Sequence, residues 1–275
     1  MNWVEVNDTR LRYKRQSAPG PLLVLIHEMG GAIESWDQVC DDLGETANWL
    51  RYDMRGAGDS EKVRHVSIDD HVEDLLALLD MLGEVRPVVL AGVAVGAAIA
   101  LRFASRHAKR VAKVIGLAPA CGVAAAKRDG TRALAERVRV SGLHDTYPLL
   151  FSLGWPEAFA GEDPAPPTVR DRYLQRSLEN DPASFAAVLD MLSDLNLDSD
   201  LAALKCDTTL IGGRHDALRP PAEIERLASL GSTIDYVIVA SGHFMTVQNP
   251  RLVSRLLRRH GLLGEPLRDV VEATT

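Results

Sequence analysis

The sequence predicts an α/β fold: a mostly parallel sheet with helices on both faces and a helical segment inserted before its last strands. Three observations carry this. Leu22–Ile26, Val88–Ala91 and Val114–Ala118 are unbroken apolar runs rich in Val, Ile and Leu, the composition of strands buried on both faces. Helical spacing lies between them, clearest in Val72, Leu75, Leu76, Leu79 and Leu82. At Gly92-Val93-Ala94-Val95-Gly96 a strand passes into a helix through a turn too sharp for a β-carbon at either glycine.

Taken in order, residues 3–13 alternate apolar and polar around Asn7-Asp8-Thr9, an N-terminal β-hairpin. Pro19-Gly20-Pro21 breaks the chain before the Leu22–Ile26 strand, which ends at His27-Glu28-Met29-Gly30-Gly31. A helix is expected over about 35–43 and a short strand over 49–53, running into the glycine-containing loop 54–60. Ser67, followed by Asp69 and Asp70, is a helix N-cap, and Gly83 closes that helix. The elbow strand and helix follow, then the strand ending at Ala118. From Pro119 to Ser199 the pattern turns helical, rich in Arg and aromatics and broken at 161–167, with no strong strand; it reads as a cap inserted between core segments 1–118 and 200–275. Strand–helix alternation resumes with a strand at 208–212, a helix near 222–230, a strand at 234–239 and a last helix near 250–260. The tail from Gly264 is expected to fray.

Bulk composition narrows the function. The 275 residues are 46% hydrophobic and 25% charged, ordinary for a globular chain of this length. A net charge of −7 with dispersed basic residues argues against nucleic acid or an anionic membrane as the main partner. Three widely separated cysteines, Cys40, Cys121 and Cys206, form neither a C-x-x-C pair nor a disulfide framework, which points to a reducing, cytoplasmic setting. The first 20 residues have no apolar signal-peptide core, and no apolar run approaches membrane-spanning length. Neither metal nor dinucleotide is expected: His27, His215 and His243 lack H-E-x-x-H spacing, and the elbow lacks G-x-G-x-x-G. The partner expected is a small acyl compound, with a homo-oligomer open.

Four loops leave the carboxyl ends of the proposed strands carrying suitable chemistry: His27–Gly31, Ala94, Asp216 and His243. The G-x-X-x-G turn has nucleophile-elbow spacing, and the chain order elbow, acid, histidine is that of an α/β hydrolase. The sequence resembles the small cofactor-free α/β hydrolases, 3-oxoadipate enol-lactonases and their relatives in particular. His27 with its following glycines resembles the H-G-x-G oxyanion loop, Trp36 stands where many members have tryptophan, and 53–60 matches D-x-R-G-x-G-x-S. The resemblance covers 22–118 and 205–260, and leaves out the cap.

The resemblance implies that His243 is the base, Asp216 its orienting acid, and Val95 and Met29 the backbone oxyanion donors, with Glu28 as the alternative for the second. His27 is expected to hold the oxyanion loop, and Asp53 and Arg55 to form a structural pair. Glu28 departs from the family's glycine; it points away and lends only its backbone, or it recognises an N–H or ammonium group or positions water. Glu28, Trp155 and Phe244 are the expected substrate-binding side chains. Tyr147, Phe151, Phe159, Tyr173, Phe185 and Met191 are expected to be mostly core of the cap helices, with one or two facing the cleft, and Arg137, Arg139, Arg170, Arg172 and Arg176 are candidates for a carboxylate clamp, the majority of them solvated.

Ala94 stands where the resemblance calls for a nucleophile. One reading is an engineered Ser-to-Ala form of a Ser-His-Asp enzyme hydrolysing a small ester, lactone or amide of ring-fission or enol-lactone type. The other is a natural replacement, giving either a small-ligand binder or a hydrolase in which His243 activates water. C–C hydrolases, dehalogenases and epoxide hydrolases share the fold, the last two with aspartate at the elbow.

Overall fold

The computed structural model describes residues 1–156 and 167–272. The expected break at 161–167 and Phe159 therefore lie, wholly or nearly so, outside the described residues.

The N-terminal hairpin pairs β1 (Asn2–Val6) with β2 (Thr9–Gln16). Its turn residues Asn7 and Asp8 both have positive φ, 45° and 55°, the backbone of a two-residue hairpin turn whose twist suits the strands. β3 (Leu23–Ile26), α1 (Asp37–Leu43), β4 (Trp49–Tyr52) and α2 (Ile68–Met81) follow. The Ser67 side chain accepts the Asp70 N–H while the Asp70 carboxylate accepts from the Ser67 backbone, so a reciprocal capping box starts α2. β5 (Val88–Val93), α3 (Val95–Arg106) and β6 (Val111–Leu117) complete the first half.

The helices α4 (Arg128–Ser141), α5 (Tyr147–Gly154), α6 (Pro167–Leu178) and α7 (Pro182–Asp194) lie between β6 and the next strand. They share an apolar cluster of their own around Phe151, Tyr173, Phe185 and Leu189, separate from the main core but joined to it by Met29. α8 (Asp198–Ala203), β7 (Asp207–Gly213), α9 (Pro221–Ala228), β8 (Ile234–Val239), α10 (Met245–Gln248) and α11 (Pro250–Arg255) return the chain to the sheet.

Two C-terminal features differ from expectation. α11 runs on into a π-helical segment, Leu256–Leu262. The stretch expected to fray instead forms α12 (Leu267–Glu272), with Val270 fully buried against the core, which offsets the entropy of ordering it.

The eight strands form one sheet in the order β1-β2-β4-β3-β5-β6-β7-β8, parallel from β4 through β8. This is the α/β-hydrolase fold. Ile26 pairs with Gly92 and Gly92 with Gly116, so β3, β5 and β6 end level and their following loops converge at one edge. Val24, Leu25, Leu90, Ala91, Val114 and Ile115 have no exposed surface, as strands covered on both faces require. Among the described residues, no helix is long and apolar enough to cross a membrane.

Candidate active site

The elbow keeps its strained geometry. Ala94 has φ 50° and ψ −110°, a conformation that costs a non-glycine residue about 1–3 kcal/mol and persists only where its surroundings enforce it. They do so with hydrogen bonds: Ala94 N–H donates to Leu117 O at 2.9 Å, and Ala94 O accepts from Ala98 and Ala120 N–H at 3.1 and 3.0 Å. The flanking glycines are sterically required. A β-carbon on Gly92 would overlap the Gly96 backbone, and one on Gly96 would overlap the carbonyls of Ile26 and His27. The turn that presents residue 94 thus also presses α3 against the end of β3.

Asp216 follows β7 and His243 follows β8, on neighbouring parallel strands. His243 Nδ1 lies 2.7 Å from Asp216 Oδ2. The other carboxylate oxygen, Oδ1, accepts the backbone N–H groups of Leu218 and Arg219 at 2.8 and 2.9 Å. The acid is buried and held at both oxygens, so it fixes the ring and leaves Nε2 as the nitrogen free to act. His243 N–H in turn donates to Gly154 O at 2.9 Å, tying the loop to α5.

The loop after β3 is held by His27. Met54 N–H donates to His27 Nε2 at 3.1 Å, so Nδ1 carries the hydrogen that Glu28 O accepts at 2.7 Å. Glu28 is 1% exposed. Its Oε1 accepts from Ser35 Oγ at 2.7 Å and from the Tyr173 hydroxyl, on α6, at 2.6 Å. Burial above all, reinforced by the Glu28 charge, pushes the Tyr173 phenol well above its ordinary range, so it remains a donor.

Ala94, His243, Glu28, Met29, Val95 and Phe244 border one cavity of about 310 Å³, closed over by Leu134, Tyr147, Leu150 and Leu153 from α4 and α5. The first position of a helix has no intrahelical acceptor for its N–H, so Val95 N–H is a ready donor beside residue 94.

Two expectations are corrected. Trp155 is not among the described residues lining this cavity; at the end of α5 its ring packs 5.5 Å from Phe151 and 6.5 Å from Tyr173, in the core of the inserted helices. Asp53 and Arg55 do not pair with each other. Asp53 takes Arg12 at 2.5 Å and the N–H groups of Ile33 and Asp59, while Arg55 takes Asp74 on α2, so each finds its partners on a different element. The five candidate arginines are also absent from the described lining. Arg139 pairs with Glu136 and Asp190, Arg170 lies over Phe151, and Arg176 donates to Ser35 Oγ. The cations in the described lining are Lys127 and Arg219; Lys127 stands beside Arg128 in sequence, and nothing local singles out either one as a cavity residue. The i, i+3 pairs Leu150–Leu153 on α5 and Leu189–Leu192 on α7 are readable signals of this apolar wall.

The sequence matches the family described as "Serine aminopeptidase, S33" over residues 17–236, about four-fifths of the chain. The chain belongs to this family. The serine aminopeptidase family is named for a serine, and at the elbow this member has Ala94. No curated protein sequence matches the chain significantly. Solved structures similar to it include the enol-lactonase of Burkholderia xenovorans LB400 (21% identity, covering 94% of this chain and 98% of that one, TM-score 0.86). Another is a thermophilic esterase from Thermogutta terrifontis, with malate bound (24% identity, 96% and 94% coverage, TM-score 0.83). A third is an esterase from Exiguobacterium antarcticum (18% identity, 94% and 98% coverage, TM-score 0.83). At these identities the likeness establishes a shared fold, and this serine aminopeptidase family member shares it over nearly its whole length.

Proposed function

We propose that this α/β-fold hydrolase family member takes a small ester or lactone in the apolar cavity, with the acyl carbon over residue 94. The observation that carries the reading is the Asp216–His243 pair, buried and fixed at both acid oxygens, next to an elbow that retains its strain with alanine in it. Both are costly to keep without a reacting group between them. The esterases and lactonase of the same fold favour an oxygen ester over other acyl bonds.

In this reading a serine at 94 would give its proton to His243 Nε2 and attack the carbonyl carbon, and the N–H groups of Val95 and Met29 would hold the oxyanion. His243 would return the proton to the leaving oxygen, and water would cleave the acyl-enzyme by the same steps. Ala94 has no such atom, so the chain as it stands lacks the acyl-transfer route. What it retains is His243 as a base toward water. The reading therefore treats Ala94 as a removed nucleophile in a site otherwise built for a Ser-His-Asp triad. The enol-lactone or ring-fission class of substrate extends it by analogy with the lactonase.

Ala94→Ser tests this directly. With a short p-nitrophenyl ester, turnover should rise about 10³-fold or more over the parent, with an acylated protein visible by mass spectrometry. Adding Asp216→Asn should remove most of the gain, by a factor of up to about 10⁴. No gain in Ala94→Ser would overturn the hydrolase reading. A ligand that binds both forms by calorimetry and survives intact would place the chain among small-molecule binders.

A further inference from the structure

One face of α6 and its C-terminal extension is bonded to the loop that follows β3. Tyr173 and Arg176 are spaced i, i+3 on α6, so they share a face, and Asn180 follows in the turn just past the helix end. All three reach the same short segment. The Tyr173 hydroxyl donates to Glu28 Oε1 at 2.6 Å, Arg176 Nη2 to Ser35 Oγ at 3.0 Å, and Asn180 Nδ2 to Gly30 O at 3.0 Å. Ser35 Oγ passes its hydrogen to Glu28 Oε1 at 2.7 Å, which closes the network. Glu28 Oε2 is buried with no partner among the described residues, so two hydroxyls supply the hydrogen bonds of an enclosed acid. The carboxylate folds over Gly31, where a β-carbon would overlap it, so the position of the acid and the path of the loop are coupled. Met29 lies between the two bonded residues, Glu28 and Gly30.

We propose that Tyr173 and Glu28 are positioning residues through which the seated α6 helix sets the oxyanion loop, so that seating the inserted helices and assembling the Met29 donor are one event. This rests on the reading of Met29 as a donor given above, though the mechanical coupling stands without it. Removing the Tyr173 hydroxyl leaves Glu28 with only Ser35, itself a partner of Arg176 on the same helix face. The loop then loses its firmest link to α6, and Met29 N–H is no longer held at one place. A donor misplaced by an ångström costs rate without costing affinity, because the oxyanion exists only after attack.

Two measurements separate the coupling from the hydrolase reading. On the chain with Ala94, hydrogen exchange should speed up about tenfold or more in peptides covering 28–35 and 170–180 in Tyr173→Phe, with β5 and β6 unchanged. Arg139→Ala, which breaks ion pairs on α4 away from the loop, should leave 28–35 unchanged. In the Ala94→Ser background, Tyr173→Phe should lower kcat about 10- to 100-fold with KM within about threefold. Glu28→Ala should do the same, whereas Glu28→Gln, whose amide oxygen still accepts both hydroxyls, should stay within about threefold of its parent. Unchanged exchange at 28–35 in Tyr173→Phe would overturn the coupling. Loss confined to KM, or an equal loss in Glu28→Gln, would overturn the positioning role. An Ala94→Ser protein without esterase activity would sink the hydrolase reading alone, and the exchange arm would still decide the coupling.

Discussion

At the scale of single residues, the site is defined as much by what has no side chain as by what has one. Gly96 lets α3 start against the carbonyls of Ile26 and His27, and this contact sets the height at which residue 94 stands above the sheet. Gly96→Ala adds a methyl group where backbone atoms already are, and neither neighbour can move without displacing a strand. The expected cost is about 3 kcal/mol, read as a shift of the urea midpoint; a shift within error of the parent would show that the junction is looser than its contacts imply. Polar residues near the site divide by a similar logic. Asp53 and Arg55 look like partners in sequence, two positions apart, but each is taken by a residue from a distant segment. Arg12 reaches Asp53, Glu34 and Asp59 from β2, and Asp74 reaches Arg55 from α2. Pairing by proximity in sequence fails here because the loop after β4 lies under two elements that supply better geometry.

At the scale of elements, helix ends were readable where a side chain bonds its own backbone, since that chemistry is complete within four residues. Ser67 is such a case: its hydroxyl accepts Asp70 N–H at 3.1 Å, and Asp70 accepts the Ser67 N–H at 2.7 Å. Ser67→Ala should lower stability by about 1 kcal/mol, measured by denaturant unfolding; an unchanged midpoint would show that α2 is held by packing alone. The C-terminal region was less readable. A change from α to π geometry at Leu256–Leu262 has no marker in the run Leu-Leu-Arg-Arg-His-Gly-Leu. It coincides with His260 bonding Thr209 Oγ1 at 2.8 Å and Glu265 O at 2.7 Å, contacts made to residues outside the helix. α12 is different: Leu267, Val270 and Val271 stand at i, i+3, i+4 and pack against the core, but this period spans only five residues and follows Gly264 and Pro266, which read as a chain end.

At the scale of the whole molecule, one buried histidine ties stability to pH. His71, on α2, is 2% exposed, and burial first, then the charge of Arg55, lowers it from 6.5 to about 3. The unfolded chain takes up a proton at this group as pH falls through 6.5, and the folded chain does not until about pH 3. The unfolded state therefore binds more protons in that window, so the contribution of His71 is full above pH 6.5 and is lost progressively from 6.5 down toward 3. The urea midpoint should decline as pH is lowered from neutrality across that range, and His71→Leu should decline less steeply. Equal slopes in the two proteins would show that the pH dependence comes from other groups. The same enclosure raises the thiols of Cys40 and Cys121 to about 12, which keeps both out of the thiolate form near neutral pH.

The sequence by itself determined the alternation of strands and helices up to residue 118 and again from 208 to about 255, the sharp junction at 92–96, and the four loops that carry His27, Ala94, Asp216 and His243. It could do so because each is written in adjacent residues: an apolar run, a glycine spacing, a cap. Tertiary structure alone decided which side chains from far apart meet. It placed Trp155 in the core of the inserted helices instead of the cavity wall, brought Lys127 and Arg219 to that wall in place of the five arginines, and bonded Tyr173 to Glu28 across 145 positions. Such meetings depend on how the helices between β6 and β7 settle on the edge of the sheet. That settling is fixed by the summed packing of two apolar clusters, and no local stretch of the chain encodes it.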